Sequence, residues 1–574
     1  MKQPLSKNFL LALILLPTVI FYGFGVAYSL NIPWFDDIEN LPYFLNRLLD
    51  AQNGYEHAEA FLRPNNEHRV LSARLIAWAT YTLTGEMNFR LLNFIGNLSV
   101  LAIFFIVARA YLKNKGALAV LVLAAFLIFH LQYYSMTFMA IMSLQYQLII
   151  AEVFLALYLM LKPQRWAFAL AVMVAVLGTF SMGNGMMVWP TGVLVLGYLG
   201  HWRRLAIWLT LGVGAIVGYF WGYAFVQGND EGFRYFLQHP LQIIGGFFVF
   251  VGGVLDWFPR ISFQKRQLLP LVGGVFIVSF FVYYVLGALS ISGRWRILLP
   301  LSLKKYYSKI GYFQSLRPNV AAFWIGCFIY LFINSALVVF FRTRFDYQLV
   351  LWATYKIYPA TLMAICVLLT IQILENKWQK IACTVFGLVA FFSWASSYWY
   401  FVPQVQQDRQ QRMALAYNQK YNSVGLGAEK GSAFAQFIVG TLDSASRKGF
   451  YNLPNPLIHP DEASLLQRVN DATQRLTKVK VNVASLPHAL IVSQDTISFQ
   501  KSKREGCFVI LHDTTRCYVF GGDDLAPFRS VQSGFRGQCP VGIIEKGTYQ
   551  VKLWVVQKTD TQLLATDQTV RVEF

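Results

Sequence analysis

Apolar runs of bilayer length recur through the first 402 residues of this 574-residue chain. They are Phe9–Leu30 and then 89–112, 117–135, 139–161, 166–182, 186–200, 205–226, 242–258, 268–290, 319–341, 357–374 and 381–402. A hydrocarbon core about 30 Å thick takes about 20 apolar residues of helix, so this patterning predicts a polytopic α-helical membrane protein. Composition agrees: 56% of residues are hydrophobic and only 14% charged, against about 25% charged in soluble chains. The net charge of +20 resides mostly in the apolar part. Residues 1–402 hold 29 Lys and Arg against 14 Asp and Glu, and residues 403–574 hold 20 against 15. Cations in short connectors set topology and meet anionic lipid, so no nucleic-acid partner is inferred.

The basic lead-in Met1–Lys7 is followed by a run too long for a signal peptide and not closed by small residues, which predicts an uncleaved first span. The connectors Lys113-Asn114-Lys115, Lys162-Pro163-Gln164-Arg165 and His201-Trp202-Arg203-Arg204 alternate with polar ones. The positive-inside rule places them and the N-terminus in the cytoplasm, and residues 31–88 outside. Basic residues from Arg294 to Arg317 fit the same side only if one apolar run does not cross. The run 242–258, Gly-rich and bracketed by Pro240 and Pro259, is the one expected not to cross, as a re-entrant or interfacial segment. About 11 transmembrane helices and an external C-terminus follow.

Three parts are therefore expected. Residues 1–402 form a transmembrane domain whose first external loop, 31–88, carries amphipathic helices. In that loop Ile38, Leu41, Leu45 and Leu48/Leu49 recur at helical spacing, predicting a helix on the membrane surface. A second helix is expected to start after Pro64, capped by Asn65 or Asn66. Residues 403–476 form a helical connector, with Asp461–Leu476 its best helix. Residues 477–574 alternate in strand fashion, as in Tyr549-Gln550-Val551-Lys552-Leu553-Trp554, and predict a small β-sandwich. The C-terminal portion as a whole is α+β. Cys507, Cys517 and Cys539 lie in it; three allow at most one disulfide among themselves.

Chemistry-bearing residues gather in the connectors expected outside. Asp36-Asp37 follow the first span directly. A carboxylate there serves as a general base toward a hydroxyl, or the two share a divalent cation such as Mg or Mn. The competing reading is an acidic cap on the next helix, and one Asp can cap while the other works. Glu67-His68-Arg69 and Arg74 come next: Arg69 and Arg74 suit a phosphate, and Glu67 could orient one of them. The turn Ser181–Pro190 contains Asn184, in a run of small residues, and Trp189, a candidate to stack on a sugar or join the aromatic belt. Arg344 and Lys356, beside Tyr355, place cations on the outer side against the usual bias; a phosphate there, or equally ordinary anchoring at the interface, would account for them. No His/Cys group at zinc spacing, Gly-Lys-Ser/Thr phosphate loop or Gly-x-Ser-x-Gly elbow is present, and Glu152 is the clearest acid inside a span.

The acidic pair in Trp34-Phe35-Asp36-Asp37, the long first external loop, Asn66-Glu67-His68-Arg69 and the Ser181–Pro190 turn resemble the C-type membrane glycosyltransferases. The likeness is to bacterial members that modify cell-surface polysaccharide, such as O-antigen glucosyltransferases of lipopolysaccharide, and it covers roughly residues 8–402. It implies a multi-pass protein of the bacterial inner membrane with a periplasmic C-terminal domain, and a polyprenyl-phosphate-linked sugar as donor. A periplasmic glycan or lipid-linked acceptor is implied too, with Asp36 or Asp37 as the catalytic base. Arg69, Arg344 and Lys356 are then the candidates to hold the leaving phosphate. Leu131–Met142 lacks the further acidic motif some relatives carry, which argues against a bound metal. A transporter or flippase of lipid-linked saccharides, and a polymerase or ligase, are the alternatives.

Overall fold

The computed structural model describes residues 6–65, 68–223, 229–471, 476–500, 506–523, 531–557 and 560–573. The chain divides into two compact units that do not follow chain order. The first comprises Met1–Gly25, Phe61–Leu75 and Asn93–Tyr398; the second comprises Val26–Ala60, Ile76–Leu92 and Trp399–Phe574. Most of the first polar loop thus groups with the C-terminal part of the chain.

Among the described residues, eight helices are long and apolar enough to cross a membrane, Lys7–Tyr28, Phe89–Lys113 and Pro318–Arg342 among them. Three shorter apolar helices accompany them: Arg165–Ser181, Pro240–Val251 and Ile357–Ile373. At 1.5 Å per residue, the 12 residues of Pro240–Val251 reach about 18 Å, well short of a bilayer core. The run 186–200 differs from expectation. A 3-10 turn, Gly183–Met187, leads into a 12-residue helix, Val188–Leu199, which ends on left-handed Gly200 (φ 68°). Its 12 residues reach about 18 Å, and the left-handed Gly200 closes its C-terminus.

Two other runs are interrupted. The helix Leu118–Ile128 stops at His130, whose ring nitrogen Nδ1 accepts the Gln132 N–H at 3.1 Å. The stretch from Ala140 to Met160 contains a π-helical segment, Ser143–Gln147, a wide turn that helices often carry beside functional sites. Close packing joins Val188–Leu199 to Trp202–Phe220. The Trp189 and Trp208 rings lie 4.6 Å apart, and a methyl group on Gly212 would come within 2.7 Å of the Trp189 ring. Trp189 is therefore core: its indole N–H donates to Thr179 Oγ1 at 2.8 Å, and that of Trp208 donates to the Trp189 carbonyl at 3.0 Å. The expected sugar-stacking or belt position is corrected, because the ring faces a neighbouring helix.

In the second unit the loop helices are Phe35–Asn40, Pro42–Asp50 and Gly54–Leu62. Pro42, which cannot donate a backbone bond, divides the predicted single helix in two. Ile38, Leu41 and Leu45 are wholly buried and Leu48 nearly so. Their apolar stripe packs within this unit instead of lying on lipid. Asn46 Nδ2 donates to the Thr441 carbonyl at 3.0 Å, and Lys448 Nζ to the Asn46 carbonyl at 2.9 Å, which ties Pro42–Asp50 to the helix Ala433–Arg447.

The predicted connector is also reshaped. A single helix, Asn376–Asn422, continues past Pro403. The expected Asp461–Leu476 helix is a 3-10 turn, Pro460–Ser464, followed by the short helix Leu465–Asn470; residues 472–475 fall outside those described. The strands are β1 Thr477–Lys478, β2 Asn482–Leu486, β3 Ala489–Gln500, β4 Gly506–His512, β5 Cys517–Asp523, β6 Val531–Pro540, β7 Gly547–Val556 and β8 Thr561–Val572. They form one curled sheet, β1-β8-β7-β4-β5-β6-β3-β2, in place of the predicted sandwich of two. The turn between its halves is a two-residue pairing of β5 with β6, Gly522 with Gly537 and Asp523 with Arg536. A methyl on Gly537 would come 2.5 Å from Val509 Cγ2, so only glycine lets β6 close over β4. Every residue of β4 is buried. Val509 and Leu511 face the core of the curl, and Phe508 meets the Trp554 ring at 5.9 Å. The helix Asn376–Asn422 also binds β5, where the Asn418 amide both donates to and accepts from Val519 at 2.8 Å.

Candidate functional sites

The acidic pair lies in the second unit, at the start of Phe35–Asn40. Its two members do different things. The Asp37 carboxylate accepts the Trp34 backbone N–H at 2.9 Å and is buried, a capping bond that closes the first helical turn. The Asp36 side chain is exposed; among the described residues it makes no hydrogen bond, and its backbone carbonyl accepts Asn40 Nδ2 at 2.7 Å. Solvent reaches part of the Asp36 side chain, yet the surrounding protein excludes enough water to raise its carboxyl above the usual range. The scaffold is aromatic: Trp34 lies 4.7 Å from Phe35, takes the Arg412 guanidinium over its face at 5.1 Å, and packs against the sheet core. A divalent cation fits this pair poorly, since Asp37 is committed to its cap. Among the described residues no three His, Cys, Asp or Glu side chains gather as metal ligands.

The remaining sequence candidates belong to the first unit. Arg69 is buried, with Nε donating to the Tyr219 carbonyl at 2.8 Å, Nη2 to Trp221 at 2.6 Å, and Nη1 to Leu62. Arg74 Nη1 donates to the carbonyls of Phe61 and Arg63 at 2.9 and 2.7 Å. Both guanidiniums brace backbone, so the expected phosphate clamp is corrected to a structural role. The helix expected after Pro64 begins only at Leu71, because Asn65 and His68 instead pair their backbones in a tight bridge. Glu67 lies outside the described residues.

Lys356 is held in a buried ionic cluster that its neighbours in sequence do not reveal. Its ammonium donates to Asp256 Oδ2 at 2.5 Å and to the Gly253 carbonyl at 3.0 Å. Arg266 binds the same carboxylate through both oxygens, at 2.7 and 2.5 Å. Gln132 Nε2 bonds the Val254 carbonyl at 2.9 Å on the same turn. Burial alone would raise the Asp256 carboxyl, but the charges of Lys356 and Arg266 hold it below the usual range. Burial pulls the Lys356 ammonium down to about 8, against the opposing pull of Asp256. Arg344 stands apart from this cluster, 3.8 Å from Glu231 and over the Phe345 ring at 4.6 Å.

A cavity of about 310 Å³ opens in the first unit. Three sequence candidates line it: His68, Asn184 and Tyr355. Arg342, beside Arg344 in the same cationic stretch, lines it too, as do Asn334 and Tyr219, which the sequence reading passed over. Arg69 acts on this wall indirectly, through its bonds at Tyr219 and Trp221. The His68 ring nitrogen Nδ1 accepts the Gly183 N–H at 3.3 Å, and Asn184 Nδ2 donates to the Tyr358 hydroxyl at 3.0 Å. The Ser181–Pro190 turn therefore splits in function, with Asn184 at the cavity and Trp189 in the core. Glu152, in the same unit, accepts from Ser72 Oγ at 2.7 Å and Ser181 Oγ at 3.4 Å.

In comparisons with known proteins, no family model, curated protein or solved structure matched this chain.

Proposed function

We propose that this chain is a membrane glycosyltransferase moving a sugar from a polyprenyl-phosphate-linked donor to a glycan or lipid-linked acceptor, at the periplasmic face of a bacterial inner membrane. The observation that carries the reading is the division of labour in the acidic pair: Asp37 caps its helix and leaves Asp36 as an outward carboxylate of raised basicity. In the proposed step Asp36 takes the proton of the acceptor hydroxyl. The acceptor oxygen bonds the anomeric carbon as the bond from that carbon to the phosphate oxygen breaks, and polyprenyl phosphate departs with the electron pair. Attack opposite the leaving group inverts the anomeric centre. The donor carries its own activated bond, in keeping with the lack of a nucleotide-phosphate loop in the sequence.

The test is transfer of radiolabelled sugar from a synthetic polyprenyl-phosphate glucose to endogenous acceptor in membranes. D36N should abolish transfer at unchanged protein level; full activity in D36N would overturn the assignment. A second reading, flipping of a lipid-linked saccharide, draws on Glu152, a carboxylate buried within the candidate span Ala140–Met160. Sugar moved across a vesicle bilayer without any new glycosidic bond would favour it.

A further inference from the structure

We infer that the first-unit cavity binds a single hydroxylated sugar ring on an apolar chain, and that Asn334 and Asn184 recognise it by accepting from its hydroxyls. The inference rests on the proposed glycosyl transfer only for the class of lipid that carries the ring.

Asn334 sits deep in the helix Pro318–Arg342 and is fully buried. Its Nδ2 donates to the Tyr330 carbonyl at 2.7 Å, and a carbonyl accepts only from the amide nitrogen, so this bond fixes which way the side chain is turned. Oδ1 is the atom left over. Among the described residues it is buried without a hydrogen-bond partner, and Asn334 lines the cavity. Asn184, on the separate turn Gly183–Met187, donates through its nitrogen to the Tyr358 hydroxyl, and among the described residues its Oδ1 is buried without a partner at the same cavity. An orphaned buried acceptor costs about 1–3 kcal/mol, and two on one cavity specify a ligand with at least two donors at different points.

The rest of the wall narrows the class. It is mostly apolar, with aromatic rings from Tyr146, Tyr219, Tyr223 and Tyr355 among its lining. Tyr219 and Tyr223 lie 5.9 Å apart at 30°, and Tyr146 meets Tyr355 edge-on at 5.9 Å. Such faces take the C–H surface of a sugar or an isoprenoid chain, while a water-filled polar pocket would be lined otherwise. Ligand pockets run from roughly 300 to 1,000 Å³. At about 310 Å³ this one is near the lower end, sized for one ring and the start of its chain and too small for an oligosaccharide. A ring lined up by two amide oxygens is selected over a plain alcohol, because an alcohol leaves one of them unpaired.

The experiment uses the full-length protein in nanodiscs of neutral lipid, labelled with a photoreactive alkyl glucoside. Octyl glucoside, octanol and octyl maltotrioside compete in separate arms. Octyl glucoside is expected to suppress labelling at least tenfold more effectively than octanol or the trisaccharide. N334L and N184L should each lower labelling about fivefold, the loss of one hydrogen bond. Equal competition by octanol, or wild-type labelling in both variants, overturns the assignment. Should one variant fail to fold, the other and the competitor series still decide. Glucoside binding here in a protein that makes no glycosidic bond overturns the proposed function alone. Transfer that persists with no glucoside-selective labelling overturns the cavity assignment alone.

Discussion

The Asp37 carboxylate accepts the Trp34 backbone N–H at 2.9 Å, a bond that settles which member of an adjacent acidic pair is spent on the fold. Successive helical residues point in different directions, so the cap cannot recruit both. D37A is expected to lower stability by about 1 kcal/mol, the usual loss for a helix cap, and D36N to leave it unchanged. Thermal unfolding in detergent distinguishes the two.

The raised carboxyl of Asp36 also sets a pH dependence. A general base works only when deprotonated. Transfer should therefore decline as pH falls through that raised value, sooner on acidification than an ordinary aspartate near 3.9 would allow. The pH–rate profile at saturating donor checks this; a flat profile down to the ordinary range would remove Asp36 from the proton transfer.

The Asp256 cluster has the opposite sign. Its carboxyl is held below the usual range by Lys356 and Arg266, so the stability it contributes is full above the unfolded aspartate value. That contribution is lost as pH falls through the depressed folded value. D256N leaves two cations facing one another with little solvent and is expected to cost about 3–5 kcal/mol. Adding K356M should recover part of that loss, measured as a shift of the unfolding midpoint between the single and double variants.

At the Trp189–Trp208 contact the helices meet without room to spare. G212A places a methyl 2.7 Å from the Trp189 ring and should cost about 1–3 kcal/mol through overpacking. W189F removes the indole bond to Thr179 and is expected to destabilise the protein without weakening donor binding. A selective rise in donor KM would return Trp189 to the substrate.

Cys507, Cys517 and Cys539 are unpaired and buried, and burial pushes each thiol above its ordinary range. Reductant should not move the unfolding midpoint. A soluble maleimide should label these residues only after denaturation, as counted by mass spectrometry.

Apolar length was legible in the sequence because a bilayer imposes it, and so were the strands from Ile491 to Val572, through their alternation. Asp36 and Asp37 were visible as a pair, but their separate roles depended on the direction of one side chain. The loop helices were read as membrane-bound because Ile38, Leu41 and Leu45 form a stripe; a stripe reports that a face is covered, not by what. Arg69 looked like a phosphate ligand because its carbonyl partners at Tyr219 and Trp221 lie 150 and 152 residues away. Asn334 did leave a signal, an amide deep within the run 319–341, and intramembrane polar residues default to function. The curl of the sheet left almost none, since it turns on glycines that elsewhere mark ordinary loops.

The distance along the chain between Asp256 and its cationic partners has a consequence for how the protein is made. Arg266 follows Asp256 by 10 residues and Lys356 by 100. At a synthesis rate of about 5–20 residues per second, Arg266 emerges within about two seconds of the carboxylate, whereas Lys356 needs about 5–20 seconds. Arg266 is thus available to neutralise the carboxylate before Lys356 is made, and the second cation can complete the cluster only once Ile357–Ile373 is being synthesised.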